Sequence, residues 1–408
     1  MKDFKSLFPY LKHNKDVIYF DNAATSLKPD VVIDSQREYL ELIAANPHSQ
    51  DYSSAFKAWE VLNETRSKIL TYVNAPKDSQ VIFTSGATHS FNQIAFGLKN
   101  FILKDDEVLT TTLEHSSTLL PLIEVCKLNS ANLKLLDLKK DGTIDVELIS
   151  QKVNSRTKLV AFASSTNVIG GFNDIENIVK EIRKINPKVL VAIDLSQSVG
   201  HEISDFKKWD IDLAVFSAHK MYGPFGVGVL WGKNEFLELL VPIFYGGGMS
   251  GKVAGDLSTF QVQDLPERLE GGTPNISGIY GFNKALDFIN SIGLSEIVEK
   301  EVELKKYVIE KASKMDKDLV KFYNLQNNSP LLTFSIRDYN PQDIATFLWV
   351  KYKIQIRSGS HCARIVSTHQ GFPEISIRAS FSFFNTKAEI DKLFEAIGNS
   401  DDFISAII

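Results

Sequence analysis

The sequence predicts an α/β protein in which helices cover a mainly parallel mixed sheet and a smaller α+β domain follows. Two observations support this prediction. Between residues 80 and 231, short apolar runs alternate with amphipathic helical segments, a pattern typical of a parallel sheet with helices on both faces. After about residue 278, a long helical region precedes two apolar runs, which is typical of an α+β domain.

The individual elements follow from the length and composition of each run. Strands are predicted at 80–84, 107–112, 133–137, 157–163, 189–194, 213–216 and 226–231, because these runs are short, apolar and rich in β-branched residues. Helical periodicity is clearest at 175–185, which Pro187 closes. In the second region we predict helix across 280–315, strands at 331–336 and 375–380, and a closing helix from Lys387.

These elements predict three parts of the chain. Residues 1–18 form an N-terminal segment that packs with the small domain, residues 19–278 form the large domain, and residues 279–408 form the small C-terminal α+β domain. The sequence has no internal repeat or low-complexity linker that would mark the boundaries differently. A chain of 408 residues is long enough to bury more than one core.

Composition and charge exclude several classes of partner. The net charge of -5 and the pI of about 6.0 provide no general basic surface, so no nucleic acid partner is expected. The N-terminus is too charged for a signal peptide, and no apolar run reaches the ~20 residues of a membrane span. We therefore expect a cytoplasmic protein without membrane contact. Two cysteines, Cys126 and Cys362, cannot form a four-thiolate metal site, and no metal is predicted.

Lys220 is the first candidate for chemistry. It ends the segment Ser-Ala-His-Lys at 217–220, after an apolar run and before a Gly-Pro turn. Burial between two strands would lower the pKa of its amine, and imine formation requires an uncharged amine. The alternative is an ordinary surface lysine at a turn.

Polar residues at other strand ends complete a set, because ligands of open α/β sheets bind beyond the carboxyl ends of the strands. Ala87 and Thr88 lead into a helix whose free N–H groups suit a phosphate. The flat imidazole of His115 suits stacking on a cofactor ring, and Asn167 offers an amide. Asp194 ends a very apolar strand and needs a cationic partner; the protonated ring nitrogen of pyridoxal phosphate is the one that an imine-forming lysine implies. Helix caps at Thr88 and Asp194 and a simple loop histidine are the alternatives.

Several short motifs around these candidate residues resemble those of a known family. Gly-Ala-Thr at 86–88, Glu-His at 114–115, Asp-x-x-Gln at 194–197 and Ser-Ala-His-Lys-Met-Tyr-Gly-Pro-x-Gly at 217–226 are similar to motifs of the class V, fold-type I pyridoxal-phosphate enzymes. The resemblance begins at Tyr-Phe-Asp-Asn-Ala-Ala-Thr, residues 19–25, and spans nearly the whole chain. Within this class, Arg-Ser-Gly-Ser-His-Cys-Ala at 357–363 resembles the cysteine-bearing loop of cysteine desulfurases.

The resemblance implies a role for each matching residue. Lys220 binds pyridoxal 5'-phosphate covalently, His115 stacks on its ring, Asp194 pairs with the ring nitrogen, and Gln197 bonds the phenolic oxygen. Residues implied at the phosphate are Ala87, Thr88, Ser217 and His219, joined by Thr273 of a second subunit, which implies a homodimer. Residues implied for the substrate carboxylate are Asn167, Arg357 and Arg378, since a guanidinium grips a carboxylate through two hydrogen bonds.

Cys362 is the predicted nucleophile. It lies in a Gly/Ser loop near Arg357, His361 and Arg364, a cationic setting that favours thiolate, although a structural role is the alternative. Cys126, on an amphipathic helix, is expected to be a buried hydrophobe. The predicted enzyme is a cysteine desulfurase that converts L-cysteine to L-alanine, with a persulfide on Cys362. It would donate sulfur to an acceptor or scaffold protein for iron–sulfur cluster assembly or another sulfur transfer.

Some residues resemble one branch of the desulfurases and some resemble another, and three functions other than cysteine desulfuration are alternatives. The short cysteine loop and residues 246–250 look like the Suf-type (group II) branch, which often needs an acceptor protein, whereas residues 46–50 with Arg66 are more similar to the Isc-type. The overall prediction is Suf-type. A selenocysteine lyase and a noncatalytic scaffold of the same fold are the alternatives. Residues 246–252 nearly match a nucleotide-binding P-loop, but Val253 replaces its Ser or Thr, which disfavours an NTPase.

Overall fold

A computed structural model describes residues 3–48, 50–337, 339–369 and 371–400 of the chain. The strands of the described residues are β1 (Ile18–Tyr19), β2 (Ser79–Thr84), β3 (Glu107–Thr110), β4 (Asn132–Leu135), β5 (Thr157–Ala163), β6 (Leu190–Asp194), β7 (Leu213–Ser217), β8 (Gly228–Lys233), β9 (Ser250–Val253), β10 (Phe260–Val262), β11 (Val320–Phe322), β12 (Leu331–Ile336), β13 (Ile354–Gln355), β14 (Arg357–Gly359) and β15 (Ser376–Ser380).

The largest sheet has seven strands in the order β2-β8-β7-β6-β5-β3-β4. In this sheet β8 pairs antiparallel with β2 and β7, and the other pairs are parallel. The mainly parallel mixed sheet predicted from the sequence is therefore confirmed.

Helices cover both faces of this sheet. The long helical region predicted at 280–315 is divided by Gly293, whose φ of +92° ends one helix and begins the next. Glycine adopts this left-handed conformation without a steric penalty. The helices are α1 (Pro9–His13), α2 (Asp30–Glu38), α3 (Ser53–Tyr72), α4 (Ala87–Gly97), α5 (Ser116–Asn129), α6 (Ile149–Lys152), α7 (Ile175–Ile185), α8 (Phe206–Trp209), α9 (Asn234–Leu237), α10 (Ile276–Ile292), α11 (Leu294–Ala312), α12 (Pro341–Tyr352) and α13 (Lys387–Gly398).

Alternate residues of the central strands enter two different hydrophobic clusters. On β7, Ala214 and Phe216 belong to the cluster on one face of the sheet, and Leu213 and Val215 belong to the cluster on the other. Successive side chains of a strand point to opposite faces, so a strand that is apolar throughout is buried on both. This burial explains why runs such as 157–163 and 189–194 read as continuous apolar segments, whereas β4 at the edge of the sheet is largely exposed.

The strand β3 ends two residues before its predicted end. Thr111 accepts a 3.1 Å hydrogen bond from the N–H of Leu113 and donates a 2.7 Å bond to Glu114. These bonds turn the chain out of the strand, because a hydroxyl that bonds the backbone two residues on stabilises a turn. The turn brings Glu114 and His115 to the edge of the sheet.

The second sheet has four strands in the order β11-β12-β15-β14 and a hydrophobic cluster of its own. Hydrogen bonds join it to the loop after β5: the hydroxyl of Thr333 donates to the carbonyl of Val168 at 2.5 Å, and Asn324 donates to that of Ile169 at 3.0 Å. The domain boundaries given above stay a prediction.

The described parts of the chain lack two kinds of feature. Within them, no group of three or more His, Cys, Asp or Glu side chains is arranged to hold a metal ion. No helix in those parts is long and apolar enough to cross a membrane.

Candidate active site

A cavity of about 190 Å³ lies at the carboxyl ends of β5, β6 and β7. Most of the predicted site residues line it: Ala87, Thr88, His115, Asn167, Asp194, Gln197, Ser217, His219, Lys220, Arg357 and Arg378. They come from widely separated parts of the sequence, and the sheet brings their strand ends to one edge. Two predicted residues, Thr273 and Cys362, are not among the described residues that line this cavity.

Lys220 follows β7 in a single helical turn, and its side chain is half-buried. Burial lowers the pKa of its amine to about 8. The negative charge of Asp194 opposes this effect, while Arg378 and Arg357 add to it. About one tenth of the amine is therefore uncharged at pH 7, far more than for a lysine of ordinary pKa, and imine formation requires the uncharged amine. The alternative of a surface lysine is not what the structure shows.

Asp194 ends β6 with 4% of its surface exposed. Its Oδ1 accepts a 2.9 Å hydrogen bond from the N–H of Ser196, and its Oδ2 accepts a 3.2 Å bond from the hydroxyl of Thr118. A turn follows it rather than a helix, so Asp194 is not a helix cap. Both oxygens are oriented by these bonds, which leaves a carboxylate fixed at the cavity wall.

His115 caps α5 with its own ring. Its Nδ1 accepts a 3.1 Å hydrogen bond from the N–H of Ser117 and lies 2.6 Å from the Ser117 hydroxyl. Because an N–H group can only donate, Nδ1 carries a lone pair and the neutral ring carries its hydrogen on Nε2. Burial lowers the pKa of His115 to about 4, and Lys220 adds to this shift. The ring is therefore neutral, and His115 lines the cavity.

The start of α4 is built to receive an anion. Gly86 precedes the helix with a φ of +155°, and the side chain of Ser217 accepts a 2.8 Å bond from the N–H of Ala87. The first N–H groups of a helix lack partners within the helix, and they favour negative charge. Thr88 is the second residue of α4 and is exposed, so the N-cap is Gly86 rather than Thr88.

His219 forms the other wall at this end of the cavity. Its ring stacks on Phe225, with centroids 5.4 Å apart, and its Nδ1 lies 3.2 Å from the hydroxyl of Thr25. Burial lowers its pKa to about 4, and Lys220 and Lys28 contribute to the shift. The side chain is thus a neutral, oriented ring rather than a cation.

Two arginines face each other across neighbouring strands. Arg357 on β14 is the register partner of Arg378 on β15. Arg378 is 2% exposed and donates to the carbonyl of Asn167 at 2.8 Å and to Asp21 at 3.2 Å. Like charges directly opposite on a sheet are destabilising. One carboxylate beside two guanidiniums leaves positive charge at the cavity, which suits an anionic substrate group.

Cys362 lies in the loop beyond β14 and is half-buried. Its carbonyl accepts hydrogen bonds from the N–H and the hydroxyl of Ser116, both at 2.8 Å. Cys362 and His361 have φ angles of +60° and +50°, a left-handed conformation that is uncommon outside glycine. Cys126 is 3% exposed, and burial raises the pKa of its thiol to about 11.

Two predicted cofactor residues have other partners within this chain. Thr273 accepts a 3.2 Å hydrogen bond from Asn46 and lines a separate cavity with Ser85 and His89. Gln197 lines the main cavity, but its Nε2 donates to the carbonyl of Ala23 at 2.9 Å. The cofactor contacts predicted for these two residues stay predictions.

Three residues that sequence reasoning did not single out belong to the site. They are Asp21 beside Arg378, Ser116 beside Cys362, and Gly228, where an added Cβ would lie 2.4 Å from the Cα of Gly86. Asp21 had a usable signal, because it directly follows the apolar run Ile-Tyr-Phe at 18–20, as Asp194 ends an apolar run. The other two depend on contacts between distant segments, which no local pattern reports.

Unpaired polar atoms indicate what the cavity accommodates. Ser196 Oγ, Asn167 Oδ1 and Arg378 Nε are buried without a hydrogen-bond partner, and all three residues line the cavity. Native structures rarely leave such atoms unpaired, so their presence together indicates a polar ligand. An amine at Lys220, a carboxylate at Asp194 and an anion-binding helix terminus fit a phosphorylated pyridine aldehyde.

Comparisons with known proteins give a consistent result. The family model "Aminotransferase class-V" matches residues 18–393. A probable cysteine desulfurase of Ureaplasma parvum is 40% identical over 402 residues, 97% of each chain, and a cysteine desulfurase of Wigglesworthia glossinidia brevipalpis is 31% identical over 99% of this chain and 98% of its own. The crystal structure of the cysteine desulfurase CsdA from Escherichia coli is 30% identical, with a TM-score of 0.88 over 99% of this chain and 98% of its own. The apo cysteine desulfurase of Thermococcus onnurineus is 29% identical, with a TM-score of 0.90 over 98% of both chains.

Proposed function

The chain belongs to the class-V aminotransferase family and is a cysteine desulfurase, and we propose that it forms a persulfide on Cys362 with pyridoxal 5'-phosphate bound at Lys220. The observation that carries this proposal is the meeting of Lys220, Asp194 and His115 around one cavity, next to the loop that bears Cys362. The class-V and desulfurase families are pyridoxal-phosphate enzymes, which supports the proposed cofactor.

The cavity residues would hold the cofactor at its two ends. Lys220 would form the imine, Asp194 would pair with the ring nitrogen, and His115 would lie against the ring. At the other end, the side chains of Ser217, His219 and Thr88, with the main chain of the first turn of α4 that begins at Ala87, would hold the phosphate. We further propose that Thr273 of a second copy and Gln197 complete the site, which makes the enzyme a homodimer.

The substrate carboxylate would bind Arg378, Arg357 and Asn167. Arg378 retains an unpaired Nε that can donate to the carboxylate, and the Asn167 Nδ2, which gives one hydrogen to the carbonyl of His361, has a second hydrogen to donate. A planar guanidinium holds a carboxylate through parallel hydrogen bonds, and this places the amino group of L-cysteine toward Lys220. The substrate carboxylate would then neutralise the positive charge that Arg357 and Arg378 leave in excess beside Asp21.

The chain's residues divide the chemistry between a proton and a sulfur atom. When bound, the cofactor supplies an electron sink for the bonds to the substrate Cα. The Lys220 Nζ, displaced by the substrate amine, would take the Cα proton. Cys362 Sγ would attack the substrate sulfur, forming the S–S bond as the Cβ–S bond breaks. L-cysteine and the thiol thus become L-alanine and a persulfide, and the atoms balance without an added oxidant or reductant.

The persulfide would pass to an acceptor or scaffold protein, and we propose a Suf-type enzyme on the strength of the short loop at Cys362. Iron–sulfur cluster assembly is the sulfur transfer that we propose for it. This assignment rests on the resemblance of residues 357–363 and 246–250.

Product analysis tests the proposal. The purified protein, supplied with pyridoxal phosphate, L-cysteine and a reductant, should release equal amounts of alanine and sulfide. Lys220→Ala should release neither, and Cys362→Ala should lose most of both. Equal alanine formation by wild type and Lys220→Ala would contradict the assignment of the imine-forming lysine.

A further inference from the structure

The carbonyl of Cys362 accepts two hydrogen bonds from a single residue. The N–H and the hydroxyl of Ser116 both donate to it at 2.8 Å. Since a carbonyl oxygen has two lone pairs, Ser116 satisfies it completely. The two residues are 246 positions apart in the sequence. Ser116 directly follows His115, which lines the cavity, so these bonds connect the cysteine loop to the segment that carries the His115 ring.

The loop needs such support because its backbone is strained. His361 and Cys362 are consecutive and both have positive φ, which costs of order 1–3 kcal/mol per residue outside glycine. The carbonyl of His361 accepts a 2.6 Å hydrogen bond from Asn167 Nδ2, and the ring Nε2 of His361 lies 3.1 Å from the carbonyl of Ser376. Donors outside the loop therefore hold each of the two strained peptide units.

We propose that Ser116 is a positioning residue for sulfur abstraction, because its two bonds to the Cys362 carbonyl hold the nucleophile where the substrate sulfur arrives. This inference rests on the proposed function and deepens it. A misplacement of about 1 Å in a reacting group can slow a reaction about a hundredfold. The main-chain donor remains in any substitution other than proline, whereas the hydroxyl can be removed alone.

We expect Ser116 to affect one step of the reaction, the formation of the persulfide. Binding of L-cysteine and removal of its Cα proton use Lys220 and the arginines, whereas the hydrogen bond of the Ser116 hydroxyl in the described residues goes to the Cys362 carbonyl. Formation of the persulfide uses Cys362. Loss of the hydroxyl should therefore slow sulfur transfer to Cys362 and leave the preceding spectral change of the bound cofactor at its wild-type rate.

The test compares Ser116→Ala with Ser116→Thr, which keeps a hydroxyl, in the holoenzyme. Stopped-flow absorbance would follow the binding of L-cysteine, and quenched samples would give the persulfide on Cys362 by mass spectrometry. We expect persulfide formation to slow about fivefold in Ser116→Ala, the effect of losing one hydrogen bond. Ser116→Thr should recover most of the rate. Unchanged thermal unfolding in both variants would show that the fold is intact.

A second readout needs no cofactor. Alkylation of Cys362 by iodoacetamide in the cofactor-free protein should be at least about twofold faster in Ser116→Ala, because the released loop exposes the thiol more often, and buried Cys126 serves as the internal reference. Equal persulfide rates and equal alkylation rates in wild type and Ser116→Ala would overturn this inference alone. Absence of a persulfide on Cys362 in the wild type would instead contradict the proposed function.

Discussion

Arg378 donates a 3.2 Å hydrogen bond to Asp21, which lies 357 residues earlier in the chain. This bond ties the end of β1 to the second sheet at the edge of the cavity. Burial raises the pKa of Asp21, and Arg378 and Arg357 oppose that shift. A single carboxylate thus faces two guanidiniums, and the substrate carboxylate is the natural second anion.

Replacing Arg378 by lysine should weaken substrate binding. An ammonium cannot make the two parallel bonds of a guanidinium, and losing a buried charge-assisted contact of about 2 kcal/mol corresponds to a roughly 30-fold rise in KM for L-cysteine. Steady-state kinetics of Arg378→Lys would measure this rise. Arg364→Lys is the matched control, because Arg364 is exposed and lies outside the cavity lining. An equal KM in wild type and Arg378→Lys would remove Arg378 from the carboxylate site.

The pH dependence of cofactor binding should report the Lys220 amine. Burial lowers its pKa to about 8, so half of the amine is uncharged at that pH and the uncharged fraction levels off about one pH unit higher. The rate at which pyridoxal phosphate forms its visible band with the cofactor-free protein should rise from pH 6.5 and level off at about pH 9. Lys220→Ala should show no such band. A rate still rising steeply at pH 9.5 would indicate an ordinary lysine.

Glu114 should make the stability of the protein depend on pH. Burial raises the pKa of its carboxyl from 4.5 to about 8, so between these values the folded chain holds a proton that the unfolded chain has released. The free energy of unfolding therefore falls as pH rises through this range, by at most about 1.4 kcal/mol per pH unit. Glu114→Gln removes this dependence, and its stability advantage over wild type should grow from pH 5 to pH 8.

Denaturant unfolding at several pH values would measure this difference for the cofactor-free protein. Glu124→Gln on α5, the helix that follows Glu114, is the control, since that side chain is 47% exposed, and its difference from wild type should stay constant. If the Glu114→Gln and wild-type curves run parallel across the range, Glu114 is not held as a neutral acid.

Gly228 should be required by the anion-binding end of the site. A Cβ at this position would lie 2.4 Å from the Cα of Gly86 and 2.5 Å from its nitrogen, so Gly228→Ala must displace the backbone that begins α4. We expect a loss of about 1–3 kcal/mol of stability and an affinity for pyridoxal phosphate at least about tenfold weaker. Gly246→Ala is the control, since its Cβ would meet open space. Wild-type affinity in Gly228→Ala would show that the contact is unimportant.

Residues at strand ends could be predicted from the sequence because their signal is local. Polar side chains at the end of an apolar run or within a few residues of it identified Lys220, Asp194, His115 and Asn167, and these four line one cavity. The parallel sheet explains the success, since it aligns the carboxyl ends of its strands. The same rule applied to β1 would have found Asp21.

Contacts between distant segments could not be predicted in this way. The pairing of Arg357 with Arg378 depends on the register of two short strands, and the bonds from Ser116 to Cys362 depend on how a loop of the second sheet meets α5. The resemblance to a family supplied the arginines and Cys362 but not Ser116. The role of Thr273 depends on a second copy of the chain and stays a prediction.

The central claim is that Cys362 receives the sulfur of L-cysteine. The most direct test is peptide mass spectrometry of the holoenzyme after one equivalent of L-cysteine without reductant, because the chain has just two cysteines and Cys126 is an internal control. We predict one added sulfur atom on the Cys362 peptide, none on the Cys126 peptide, and an equal amount of alanine. Alanine formed in that amount with no sulfur on Cys362 would contradict the account.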